Sequence, residues 1–312
     1  MFYNPNAYQR PCYLLAFFGT ILLFHLQACQ KLSSHQSTSS KIRNDRVHEG
    51  RVVSTNLSSD ELLIELLDRA NALHRLQALS SLAWDSRYSH IHDKIPGHVV
   101  PSDQSIEALL ATQPNLVVMA AFNRHEWRRQ LINLGLNVVV LDDFSSLLAI
   151  EEHIQTLGRT LGLLEAAGQL LQDMKQQRRL LNQGRKRHRS QRCLVLHWNG
   201  GTMASGTILD EIMKLSGCLN LASDAGLNGW PKLATEAIWQ WQPDWLIVSD
   251  DGGGAEVTKR RWQNHPHFSK LQAVQKGKLV VLSRAEFSSA SHYSLRAAKK
   301  IQQQLHKQGP RT

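Results

Sequence analysis

The chain contains 15 histidines, and three positions have spacing that metal chemistry would use. His90-Ile91-His92 and His265-Pro266-His267 each set two imidazoles one residue apart, and His197 stands beside Trp198. Direct capture of zinc requires three or four ligands converging in a closed shell. Nothing in these spacings forces the three places together, so direct zinc or manganese capture is disfavoured. Haem stays open, because a single His or Tyr serves as its axial ligand. Phosphate chemistry is poorly represented: Gly200-Gly201 and Gly252-Gly253-Gly254 lack the Gly-Lys-Ser/Thr that closes a phosphate loop. Neither a Gly-x-Ser-x-Gly elbow nor a His-Glu-x-x-His pair occurs. The reading is of a protein that is not an enzyme and has no resident cofactor. A nucleotide-binding enzyme and an adhesive surface protein are the minor alternatives.

The elements that would position such residues alternate along the chain. From Arg51 onward, short β-branched runs alternate with amphipathic stretches. Val52-Val53, Leu76–Leu79, Leu116–Ala120 and Val138–Leu141 read as strands, and Leu116–Ala120 is apolar enough to be buried on both faces. Ser58 or Ser59 would cap a helix running through Leu67, and His125–Leu134 would form another, ending at Gly135. Ser145 to about Leu181 then keeps helical periodicity with no strand in it, broken at Gly162, which is more helix than one ordinary crossover needs. Strands resume at Leu194–Leu196, Trp245–Val248 and Leu279–Leu282, with helices at Leu209–Leu215 and about Ser291–Leu305. This alternation predicts an α/β fold with parallel sheets.

The N-terminus carries an address. Arg10 precedes an apolar run from Cys12 to Leu26, shorter than the roughly 20 residues of a membrane-spanning helix. The run ends in Leu26-Gln27-Ala28-Cys29, which resembles a bacterial lipobox whose Cys becomes the acylated first residue. A Ser-rich stretch follows, suited to a flexible tether. The expected location is therefore periplasmic, as a lipoprotein anchored in the membrane through Cys29. In that oxidising compartment Cys193 and Cys218 either pair or remain two buried free thiols. The net charge is +10, with Lys175, Arg178, Arg179, Arg185, Lys186, Arg187, Arg189 and Arg192 in one segment. This run has no aromatic interleaving and closes a long helix. It reads as a solvated helix end plus linker, with no nucleic-acid partner.

The chain also repeats itself. Glu107-Ala108, four residues, Gln113-Pro114-Asn115 lead into the strand Leu116–Ala120. Glu236-Ala237, four residues, Gln242-Pro243-Asp244 lead into Trp245–Val248. Each is a short helix, a proline that stops it and a buried strand. Around these residues, the sequence resembles the periplasmic binding proteins for iron complexes and cobalamin, the helical-backbone class of ABC-importer binding proteins. Arg51–Glu61, Gly206-Thr207, Gly217–Asn220, Gly229-Trp230-Pro231, His265-Pro266 and Leu271–Val280 carry the resemblance, which covers Arg51 to Leu305. Cys218 stands where the family often has a second Gly, and Asn115 where it has Asp.

The resemblance implies two Rossmann-like α/β lobes joined by one long backbone helix, with the ligand in the cleft between them. The expected divisions are a signal peptide over 1–28, a tether over 29–49, an N-terminal lobe over 50–144, bridging helices and basic linker over 145–190, and a C-terminal lobe over 191–312. It further implies a metal-chelate ligand such as a ferric siderophore or cobalamin, an ABC permease with its ATPase as partner, and a monomeric protein. Glu107 and Glu236 match the family's docking carboxylates, one per lobe, although a glutamate at a helix start also favours the macrodipole. Ligands of doubly wound sheets bind beyond the carboxyl ends of strands. That rule selects Asn56, Trp84, Phe122, Trp198 and Arg284, and the family resemblance adds Trp230. The aromatic residues suit a broad ligand, whereas Trp239, Trp241 and Trp245 read as core. Arg284 would meet an anionic chelate or pair with Asp250 or Asp251.

Overall fold

A computed structural model describes residues 49–102, 105–121, 125–250 and 252–307. Cys29, the expected signal peptide and Phe122 lie outside the described residues, as does Asp251. Among the described residues no helix is long and apolar enough to cross a membrane.

The first lobe is built on β1 (Val52–Ser54), α1 (Leu57–Arg69), β2 (Leu76–Leu79), β3 (Val100–Pro101), α2 (Ile106–Ala111), β4 (Leu116–Ala120), α3 (His125–Asn133) and β5 (Asn137–Leu141). Its five strands are all parallel, in the order β3-β2-β1-β4-β5. As expected, β4 is buried along its whole length. The bridge consists of α4 (Leu147–Leu161) and α5 (Leu164–Lys186). Gly162 separates them with φ 72°, a left-handed turn that glycine adopts without a Cβ penalty. Gly158 brings the two helices together: a Cβ added there would lie 2.5 Å from Ala167 Cβ.

The second lobe follows with β6 (Gln191–Val195), α6 (Ile208–Ser216), β7 (Cys218–Asn220), α7 (Thr235–Trp241), β8 (Trp245–Ser249), α8 (Gly254–Gln263), β9 (Leu279–Leu282) and α9 (Ser294–Lys307). Its sheet is also parallel, in the order β7-β6-β8-β9. Cys193 on β6 and Cys218 on β7 form a disulfide, with Cα atoms 5.6 Å apart, which closes the alternative of two free thiols. Trp245 is buried in the cluster that joins the lobes, whereas Trp239 and Trp241 pack half-buried against a second cluster on the other face of this sheet, with Leu194, Leu246 and Trp262. One apolar cluster runs from β1 and α1 through Leu170, Met174 and Leu181 of α5 to β6, α6 and α9. A shared, close-packed core of this kind resists shear.

The internal repeat is structural as well as sequential. Gln113 and Gln242 both turn with positive φ, 50° and 40°, between helix and strand. Asn115 donates its backbone N–H to Arg51 O at 2.8 Å, and Asp244 does the same to Arg192 O at 2.8 Å. In return, the Asn115 and Asp244 side chains accept from the backbone N–H of Arg51 (2.8 Å) and Arg192 (3.2 Å). The repeat therefore extends to the residues that open β1 and β6.

Candidate functional site

Each sheet reverses strand order beside its first strand, so the crevices lie beyond β1 and β4 in one lobe and beyond β6 and β8 in the other. At the first, Asn56 rather than Ser58 or Ser59 caps α1. Its Oδ1 accepts from Ser59 N at 3.2 Å, and its amide donates to Ser59 Oγ at 2.6 Å. Asn56 is buried with both polar ends committed to this turn, which the shorter Ser side chains had seemed from sequence to supply. The next residue but three, Asp60, is fully buried, and burial pushes its carboxyl up to about 8. It accepts from the Ser80 backbone N–H at 3.1 Å and from the Ser80 hydroxyl. Through Ser80, Asp60 fixes the end of β2 and the short turn Ser81–Trp84, which presents Trp84 at 37% exposure.

Beyond Trp84 the two lobes meet. Arg87 grips Asp85 with two nitrogens, at 2.9 and 2.5 Å, and holds its carboxyl down at about 2. Arg284, one residue beyond the Ser283 cap after β9, donates to Tyr88 OH at 3.2 Å and to the Asp250 carbonyl at 3.2 Å. Its guanidinium carbon lies 5.6 Å from the Tyr88 ring centre. The pairing of Arg284 with Asp250 thus runs through the main chain. The Asp250 carboxylate instead accepts from Gly252 N at 2.9 Å and Thr258 Oγ1 at 3.1 Å.

On the second lobe, Trp198 projects at 46% exposure from a buried aromatic base. His265 Nε2 lies 3.2 Å from Trp198 O, and its Nδ1 accepts from the N–H of His267 and Phe268 at 3.1 and 3.2 Å. Its ring lies 4.1 Å from that of Trp198. Both nitrogens of His265 are therefore occupied by main chain, and among the described residues no three His, Cys, Asp or Glu gather as metal ligands. Trp230 is 72% exposed on a loop pinned from both sides. Gly229 N donates to Ser205 O, Ala204 N to Gly229 O and Thr202 N to Pro231 O, each at 2.9 Å. Trp84, Trp198 and Trp230 form no ring pair with one another among the described residues; Trp198 packs instead against His265 and Trp262.

A second set of contacts ties α1 to the segment before α9. The Ser291 hydroxyl donates to Glu61 Oε2, and His90 N donates to Glu61 Oε1 at 3.2 Å. Burial pushes the Glu61 carboxyl up to about 7. Tyr293 OH donates to Glu65 at 3.3 Å and accepts from Lys94 at 3.3 Å. The neighbouring His292, with Arg69 beside it, holds Glu65 down at about 2. Burial lowers His90 to about 4 and also lowers His292. Sequence reasoning missed Tyr88, Ser291 and Tyr293, because their partners lie about 200 residues away in the chain, and it singled out His90 only as a candidate metal ligand.

The two repeat carboxylates occupy equivalent places. Glu107 and Glu236 are both exposed in the first turns of α2 and α7. Glu107 is held below the usual carboxylate range by hydrogen bonds from its own backbone and from Ser105, whose side chain caps α2.

Residues 52–285 match the periplasmic binding protein family. The chain belongs to that family. A curated relative, the uncharacterized ABC transporter substrate-binding lipoprotein YvrC of Bacillus subtilis (strain 168), is 23% identical over 180 residues, 55% of each chain. The chain thus spans about half the length of the curated relative it matches. A periplasmic binding protein from Veillonella parvula superposes with a TM-score of 0.69 at 16% identity, covering 82% of this chain and 91% of that one. The periplasmic heme-binding protein RhuT of Roseiflexus sp. RS-1, in apo form, gives 0.67 at 19% identity, over 83% and 98%. These likenesses show the two-lobed periplasmic binding protein fold.

Proposed function

We propose that the protein is the extracytoplasmic substrate-binding component of an ABC importer and that it captures a metal chelate in the crevice between its lobes. The observation that carries this reading is the exposure of Trp84, Trp198 and Trp230 at the crevice ends of the lobes, with Arg284 reaching across to Tyr88. Exposed tryptophans on rigid supports stand ready to be covered by a flat, partly apolar ligand, and a guanidinium gives that ligand's anionic groups a fixed partner. Phe122 belongs to this proposed lining, whereas Asn56 acts on it through the helix start. Membership of the family and the lipoprotein relative support export and an anchor at Cys29. Glu107 and Glu236 would pair with permease arginines, one from each lobe, as charge-assisted hydrogen bonds. The protein would work as a monomer without catalysis, delivering its ligand to the permease and ATPase.

Ferric siderophores, cobalamin and haem are the candidate chelates. Haem is favoured by one local feature and one comparison. Tyr88 offers a phenol oxygen beside a cation at the crevice, the kind of donor that ferric haem accepts as an axial ligand. The Roseiflexus neighbour is a heme-binding protein. Titrating the chain with a panel of ferric siderophores, haem and cobalamin should quench tryptophan fluorescence for one of them at low concentration. Unchanged fluorescence across the panel would remove the proposal. If haem is the ligand, Tyr88→Phe should change its absorption spectrum, and an identical spectrum would exclude Tyr88 as the axial donor.

A further inference from the structure

The basic run at the end of the bridge helix lines a hollow together with residues from other elements. The last turn of α5, the strand opening of β6, the Gly217 loop, the residue before β9 and the end of α9 enclose a concavity of about 480 Å³. Arg185, Arg187, Arg189, Arg192 and Lys278 line it, with Asp244 as the single carboxylate. It lies where β6 and β9 begin, whereas the crevice with Trp198 and Arg284 lies beyond the ends of those strands.

Cations at a helix C-terminus complement the macrodipole, and this accounts for Arg185 in the last turn of α5. It does not account for Arg192 or Lys278, which come from other elements and face the same space. Among the described residues, Arg185, Arg187, Arg189 and Lys278 form no ion pair with a carboxylate within 4.0 Å. Asp244 is already engaged: its side chain accepts from the Arg192 backbone N–H at 3.2 Å, while the Arg192 guanidinium donates to Trp241 O at 2.6 Å. The rim adds His188 and His306, stacked with ring centroids 3.6 Å apart. Burial, with the neighbouring His188, lowers the His306 imidazole. Like charges converging on one hollow repel one another unless an anion sits among them.

The chemistry of the lining narrows the anion. Four of its five cations are arginines, whose planar forks match the paired oxygens of phosphate better than a monatomic ion. No Trp, Tyr or Phe lines the space, so it offers no platform for stacking bases, which argues against a nucleic acid. The volume suits a small molecule or headgroup with several charges. We propose that this concavity is a binding site for a multiply charged phosphate-bearing anion, either a free polyphosphate or a phosphorylated lipid headgroup.

The test uses the full chain and three proteins: wild type, Arg185→Gln/Arg189→Gln, and Arg260→Gln/Arg261→Gln. The last pair removes the same charge from exposed positions on α8, and thermal melts confirm that all three are folded. Tripolyphosphate is titrated calorimetrically. Sedimentation with phosphatidylglycerol vesicles, against phosphatidylcholine vesicles, is run in parallel. One-to-one tripolyphosphate binding should weaken about tenfold or more in the first variant and less than about threefold in the second. The same pattern with phosphatidylglycerol vesicles assigns the site to a headgroup, and a response to tripolyphosphate alone assigns it to a free anion. No tripolyphosphate binding, or equal losses in the two double variants, overturns the proposal and leaves only diffuse surface charge.

Discussion

Glu61→Gln probes the buried join between the lobes. The Glu61 carboxyl lies between Ser291 Oγ and His90 N, and burial raises it from 4.5 to about 7. Because the folded state holds this proton more tightly than the unfolded one, the sign is fixed. Below pH 4.5 both states are protonated and the carboxyl contributes no penalty. Between 4.5 and about 7 the unfolded chain ionises first, and folding loses stability as pH rises. At 1.36 kcal/mol per pH unit, a rise of about 2.5 units corresponds to about 3 kcal/mol of stability lost by pH 8. Gln keeps an acceptor for His90 N and an amide for Ser291 but carries no charge. The stability of Glu61→Gln relative to wild type should therefore rise by about 3 kcal/mol from pH 4 to pH 8 and then level off. Asp60, Glu65, His90 and His292 titrate in both proteins, so to a first approximation their contributions cancel in the difference. Urea melts at half-unit pH steps measure it. A difference that stays flat from pH 4 to 8 would refute a neutral Glu61 at the join.

Other consequences follow from single contacts. Replacing Cys193 and Cys218 with Ser should lower stability by about 3.5 kcal/mol, the loop-closure value for a sequence separation of 25, seen as a lower urea midpoint. Gly158→Ala should destabilise the chain by about 1–3 kcal/mol in thermal melts, because the new methyl group would meet Ala167 Cβ at 2.5 Å where α4 crosses α5. Reversing both proposed docking carboxylates, Glu107→Lys with Glu236→Lys, should abolish uptake in cells while leaving ligand binding by the purified protein intact. If uptake survives, these residues are only helix-start glutamates.

Much of the architecture is legible in the sequence because it depends on local pattern. The apolar strands, the Gly162 break and the Glu-Ala/Gln-Pro repeat each involve neighbours in the chain, and each has its place in the structure. The short strands β3 and β7 escaped because two or three residues carry no period of their own. The cap of α1 was misplaced because Asn56, Ser58 and Ser59 are all good caps, and only backbone geometry chooses among them. The strand-end rule selected Trp84, Trp198 and Arg284, which the structure places just beyond β2, β6 and β9. It could not find Tyr88, the partner of Arg284, nor the Ser291 and Tyr293 contacts to α1, since no local signal links residues so far apart. Likewise the basic run was visible as charge density, whereas its concavity needs Lys278 and His306 from distant elements.

The central claim is that a chelate sits between the lobes against the exposed tryptophans and Arg284. Hydrogen exchange of the full chain, with and without the chelate that quenches its fluorescence, tests that placement directly. Binding should slow exchange at residues 81–90, 196–202, 228–232 and 283–288 together, from both lobes. Protection confined to one lobe, or falling elsewhere while these four segments stay unchanged, would contradict it.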